Sequence, residues 1–187
     1  MQLHRIQCCI GEVRSRFTAL DGRVSEANWA RRPDAASWSV AECIAHLNLT
    51  SAAMTSAIRA ALDEAKRLPP MSRARYRGTL VGRMLAATMG PVKQIAGFKL
   101  GKVRTPPPFV PGAELAREDV RRKFLAWLEE EEALVRAARG LAIDAVRVES
   151  PFKAGVFYDA YSALRIVVLH EKRHLVQAER AHAALRA

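Results

Sequence analysis

His170 and His174 lie one helical turn apart in the stretch VLHEKRHLVQAER, residues 168–180. At i and i+4 the two side chains stand one above the other on a helix face. Two imidazole nitrogens placed in that way can converge on one divalent ion, at bonds of about 2.0–2.1 Å. The same stretch fits His-Glu-x-x-His, the zinc-protease pattern in which Glu171 would be the general base. Either site needs a further ligand. His182 is eight residues beyond His174, about 12 Å of helical rise, too far to share its metal.

His46 is the better third ligand. It falls in WSVAECIAHLN, residues 38–48, among small and apolar neighbours, with Cys43 at i−3 and Thr50 at i+4. A histidine in an apolar stripe near a helix start is a candidate for an inward-pointing ligand. The residues alone leave a second reading open, with His46 a satisfied, partly buried histidine and His170 and His174 surface residues of a charged helix. Cys43 reads as a buried structural thiol ahead of a ligand. His4 and His182, near the termini, are expected to be exposed.

Four long helices would have to position these groups. Leu3, Ile6, Ile10, Val13, Phe17 and Leu20 recur in steps of three and four over residues 3–22, and Asp21-Gly22 ends the stripe. A loop with Trp29, Pro33 and Trp38 follows. Ser39 and Glu42 form a capping box for a helix that runs to about Lys66, and Leu68-Pro69-Pro70 stops it. A third helix runs from Glu114 or Arg117 to Arg139 with Gly140 as C-cap. Its acidic run Glu129–Glu132 lies opposite Val120, Phe124, Trp127, Leu128, Leu134 and Val135. A last helix spans about Tyr158 to Ala184, after a connection with an extended piece at Ala145–Val148. The fold class is therefore all-α, a four-helix bundle in one domain over residues 1–187, with a basic, partly helical insertion at about 67–113 between the second and third helices. Up-down-up-down order is possible, and the long second connection also permits a crossover. Within the insertion, Arg75–Met89 reads as a helix weakened by Gly78 and Gly82, Val92–Leu100 as a further turn or two, and TPPPFVPG (105–112) as an extended loop.

With these elements in place, two stretches carry a resemblance. WSVAECIAHL followed near the C-terminus by LHEKRHLVQ resembles the DinB-like superfamily, the YfiT-type metal-dependent hydrolases. The Trp-Ser helix start falls on Trp38 and Ser39, the first ligand on His46, and the C-terminal pair on His170 and His174. The PPPFVPG loop is similar to what a subgroup has before its third helix. The resemblance implies a four-helix bundle holding one divalent metal on His46, His170 and His174, with zinc or nickel ahead of iron or manganese. It implies a metal-dependent enzyme of hydrolase or thiol S-transferase type, since similar members include thiol-cofactor S-transferases and a mycothiol-dependent isomerase. It also demotes Glu171 from general base to a solvated or second-layer residue. Glu42, Glu171 and Gln177 are the candidates for groups supporting the ligands, and Glu42 is better explained by its cap.

Composition bounds the rest. Half the residues are apolar and about a quarter charged, as in a globular protein. Cys8, Cys9 and Cys43 make no disulfide framework, which points to a reducing, cytoplasmic setting. The first residues, MQLHRIQCCIGEVRSRF, lack the apolar run of a signal peptide, and no membrane span is expected. The net charge of +11 is local. Between Glu64 and Glu114 there is no acid and there are ten basic residues, which leaves 20 basic against 19 acidic elsewhere. That segment reads as a solvated excursion, as a wall for a small anionic or thiol-containing substrate, or as a peripheral contact for an anionic membrane surface. In the last case the protein would be a non-catalytic binder. Nucleic acid is disfavoured, because Tyr76 and Phe98 alone do not make a stacking pattern. A homodimer remains open.

Overall fold

The computed structural model describes residues 1–72, 75–89, 105–113 and 115–186. Its long helices are α1 (Gln2–Asp21), α3 (Val40–Ala65), α5 (Arg117–Ala137) and α6 (Ala160–Ala184). Two shorter helices are α2 (Glu26–Trp29) and α4 (Leu80–Met89). A single antiparallel pair, β1 (Arg147–Glu149) with β2 (Phe157–Asp159), leads into α6. The chain is mostly helical, as expected of an all-α bundle.

α1 and α3 each pack against both α5 and α6, so α1 and α3 take diagonal corners. Side-chain bonds give the directions. Lys172–Glu12 and Arg16–Glu179 pair α1 with α6 in increasing order on both, hence parallel. Arg117–Asp21 and Arg14–Glu132 run in opposite order, so α1 and α5 are antiparallel. The Asn48 amide donating to the Val120 carbonyl and the Arg59–Glu130 pair make α3 and α5 parallel. The order is up-down-down-up. A crossover between α3 and α5 must therefore return the chain along a helix of about 39 Å. α4 lies on that return path. It packs on α6 from Gly82 beside Ser162 to the Thr88 carbonyl, which accepts from Arg173.

The expected Arg75–Met89 helix begins only at Leu80, because residues 76–79 form an extended strap. Asp159, the N-cap of α6, binds the strap: its Oδ2 accepts from the Thr79 amide (2.7 Å) and hydroxyl (2.9 Å). Gly82 is required where it sits, since a Cβ there would lie 2.2 Å from Ser162 Oγ. Gly82→Val is expected to lift α4 from α6. Hydrogen exchange should then accelerate across Leu80–Met89 while α1, α3 and α5 keep their protection; unchanged exchange in α4 would sink the idea. The Val92–Leu100 reading lies outside the described residues.

Three further expectations are corrected. The loop before α3 contains α2, which buries Trp29 so that its Nε1 donates to the Leu115 carbonyl (2.9 Å). α6 starts two residues later than its apolar pattern suggests, because Phe157–Asp159 pair as a strand. α5 ends at Ala137, and Gly140 takes its positive φ of 77° in the turn beyond. The core is mostly apolar, with Phe17 and Phe124 meeting edge to face at 4.9 Å. Among the described residues no helix is long and apolar enough to cross a membrane.

Candidate metal centre

The capping box forms as read: Ser39 Oγ accepts from the Glu42 amide (3.1 Å), and a Glu42 oxygen accepts from the Ser39 amide (2.8 Å). It fixes the start of α3, and two turns on the helix delivers His46 into the bundle, 4% exposed. α6 delivers His170 and His174 opposite, because α3 and α6 run antiparallel and pack along their lengths.

The three imidazoles converge. One ligand nitrogen from each lies within 4.8 Å of the others. His46 Nε2 is 3.1 Å from His170 Nε2. Tetrahedral ligands on 2.0–2.1 Å bonds stand roughly 3.3–3.4 Å apart, so this spacing fits one ion. His46 Nδ1 is 2.7 Å from the Phe109 carbonyl. A carbonyl only accepts, so Nδ1 carries the proton and Nε2 presents its lone pair to the cluster. The Nδ1 of His174 is buried and has no hydrogen-bond partner among the described residues. Neutral donors, an orphaned buried nitrogen and a tautomer fixed from behind all suit a divalent cation. The group could hold one.

Burial holds the site neutral. Desolvation lowers the pKa of His46, partly offset by the Phe109 bond. Desolvation, then the neighbouring imidazoles, lowers His170 well below the usual range. Desolvation and His46 bring His174 to about 3. Free imidazoles are therefore available at neutral pH without proton loss. The walls are aromatic: Trp38 lies 5.1 Å from the His46 ring, Phe152 stacks on His170 at 6.0 Å, and Phe109 meets Phe152 edge to face.

The supporting candidates separate. Gln177 acts on His174, in the direction that favours its protonated form. Glu42 is engaged by its cap and by an ion pair with Arg32, so it does not orient His46. Glu171 is neither solvated nor near the histidines' lone pairs. It is fully buried on another side of α6, accepting from Ser51 Oγ at 3.3 Å. That removes it as a general base for this site. Its neighbour is Glu131, which the run Glu129–Glu132 had placed on the solvent side of α5 but which is 1% exposed. Burial raises Glu131 to about 7; burial and the Glu131 carboxyl raise Glu171 well above the carboxylate range. Cys43 is buried, as read, and desolvation pushes its thiol upward. His4 is exposed, but His182 is 7% exposed with neither ring nitrogen bonded among the described residues. It packs between the ends of α1 and α6, where the histidine's polarity gave no sign of burial.

The Phe109 carbonyl, Trp38 and Phe152 were not foreseen as parts of the site. The proline-dense PPPFVPG was the available signal, since prolines fix a turn rigid enough to aim a carbonyl. Two comparisons matched nothing: no curated protein and no solved structure resembles the chain closely enough to count. A family model described as the DinB superfamily matches residues 10–178.

Proposed function

Because the chain belongs to the DinB superfamily, we propose that His46, His170 and His174 hold one divalent metal and that the protein is a metal-dependent enzyme acting on a small molecule, of hydrolase or thiol S-transferase type. The observation that carries this reading is the His46 tautomer, held by the Phe109 carbonyl so that Nε2 faces His170 at 3.1 Å. Zinc or nickel suits three neutral imidazoles, with iron or manganese next. Such an ion would supply Lewis-acid activation of water, a thiol or a carbonyl.

The chain's own residues supply position and exclusion. The carbonyl of Phe109 holds the His46 ring in one plane. Gln177 reaches His174 from the next turn of α6. Trp38, Phe109 and Phe152 exclude bulk water from one side and offer an apolar surface to a substrate. No carboxylate of the described residues joins the metal-holding group, so a proton acceptor would come from the substrate, from solvent, or from residues outside it. A cytoplasmic setting and a thiol-containing or anionic substrate belong to the same proposal.

The test is metal content with turnover. Protein purified and supplemented with zinc or nickel should retain about one equivalent after desalting. The loaded form should transfer or hydrolyse a low-molecular-weight thiol or acyl substrate that the chelated form leaves unchanged. Absence of a stoichiometric metal after supplementation with all four ions would overturn the reading.

A further inference from the structure

We propose that a groove on the face of α6 turned away from the histidines is a binding site for a phosphoryl-type oxyanion. The groove measures about 720 Å³ and lies between the N-terminus of α1, the strap and the first half of α6. Arg75 comes from the residue just before the strap, Arg77 from the strap, Arg83 from α4 and Arg165 from α6. Tyr76 and Tyr161 also line it, their rings stacked with centroids 5.0 Å apart.

Three observations carry the assignment. The first is unbalanced charge. Among the described residues none of the four guanidinium groups has an ion-pair partner, whereas Arg14, Arg16, Arg59, Arg117 and Arg121 each meet a carboxylate across the bundle. Two acids lie at the strap, fewer than the four cations: Asp144 accepts from the Arg77 amide (2.7 Å) and Asp159 from the Thr79 amide (2.7 Å). Four like charges around one concavity repel one another unless an anion joins them. Guanidinium forks are the side chains that bind phosphoryl oxygens two at a time.

The second is a rigid frame. The Tyr76 amide donates to Gln2 Oε1 (2.8 Å), Gln2 Nε2 donates to the Tyr76 carbonyl (3.2 Å), and the Tyr76 hydroxyl donates to the Ala138 carbonyl (3.2 Å). Asp159 clamps Thr79, and Gly82 lets α4 touch α6. Arg77 therefore projects from a fixed backbone rather than a loose loop, and Arg75 adjoins it. Arg165 lies over Tyr161 at 5.8 Å, which holds its side chain beside the groove.

The third is separation. Arg165 precedes His170 and His174 by five and nine residues on α6, about 140° and 180° around the helix. The groove and the histidines therefore lie on different faces, and this inference does not depend on the metal reading.

Inorganic pyrophosphate is the probe, titrated at low ionic strength against the protein with its metal content measured before and after. Binding should saturate near one equivalent, raise Tm, and weaken steeply with salt. Arg75→Gln/Arg165→Gln should weaken it by about tenfold or more, while Arg67→Gln/Arg180→Gln, which removes as much charge elsewhere, should change it by less than about twofold. Should the first pair fail to fold, Arg75→Lys/Arg165→Lys keeps the charge, loses the forks, and should still bind about threefold more weakly. Vesicles of phosphatidylcholine with and without phosphatidylserine separate the sources. Serine-lipid binding that needs Arg75 and Arg165 assigns the groove to headgroups; pyrophosphate binding without vesicle binding assigns it to a soluble phosphoryl ligand. No saturable response to either probe, or a response that survives the groove substitutions, overturns the proposal.

Discussion

His170→Ala is expected to abolish stoichiometric metal binding while leaving the bundle folded. Losing an outer hydrogen-bond partner costs a metal site roughly 10–100-fold in affinity; losing one of three ligands should exceed that, because the two imidazoles left hold fewer bonds. His46→Ala should do the same, although the two histidines are 124 residues apart. Metal content by mass spectrometry after equilibrium dialysis checks both, with circular dichroism to establish folding. A folded His170→Ala that keeps one equivalent at wild-type affinity would remove His170 from the site. The metal-free protein should also respond to acid. His46, His170 and His174 have folded pKa values below the usual 6.5, so the unfolded chain binds more protons below that value. Their contribution therefore falls as pH drops through about 6.5 and keeps falling toward the folded values.

Glu131→Gln/Glu171→Gln is expected to make the protein more stable at alkaline pH than its parent. The two carboxyls come from diagonal helices and meet inside the bundle, where the Ser51 hydroxyl donates to Glu171 Oε1 and, among the described residues, no amide or cation donates to the other three oxygens. Buried carboxylates without donors are held in the protonated form. With folded pKa values raised, their contribution is whole below about 4.5 and is lost as pH rises through about 7 and beyond. Denaturant unfolding at pH 5 and pH 9 reads the difference, and the slope between them separates titration from any fixed cost of the amides. The double variant should keep only the histidines' opposite trend, gaining stability from pH 5 to 7. A parent and a variant with parallel pH profiles would show that the pair does not titrate with folding.

The sites that the sequence disclosed are those whose residue types carry the information. Ser39 with Glu42 marked the start of α3, and the i, i+4 spacing of His170 and His174 marked a shared face, so the triad and its helices were legible. The up-down-down-up order was not, because it depends on which corner α5 takes, and only pairs such as Arg59–Glu130 and Lys172–Glu12 record that. Glu131 and Glu171 were misplaced for a common reason. Hydropathy puts a glutamate outside, and the exception exists only where two of them can share a buried position. Gly82 looked like a helix weakener and is instead the contact point of α4, a distinction that requires knowing how near Ser162 stands.

The oxygen behind His46 belongs to the main chain of the turn Pro107–Phe109. An alanine scan would therefore pass over it, since every residue at position 109 keeps that carbonyl. Its aim is encoded by the prolines around it, whose rings narrow the conformations open to the turn before folding begins. Evolution can exchange the Phe109 ring and leave the acceptor in place. It cannot lengthen the turn so freely, because one inserted residue would swing the carbonyl away and release the imidazole to its other tautomer.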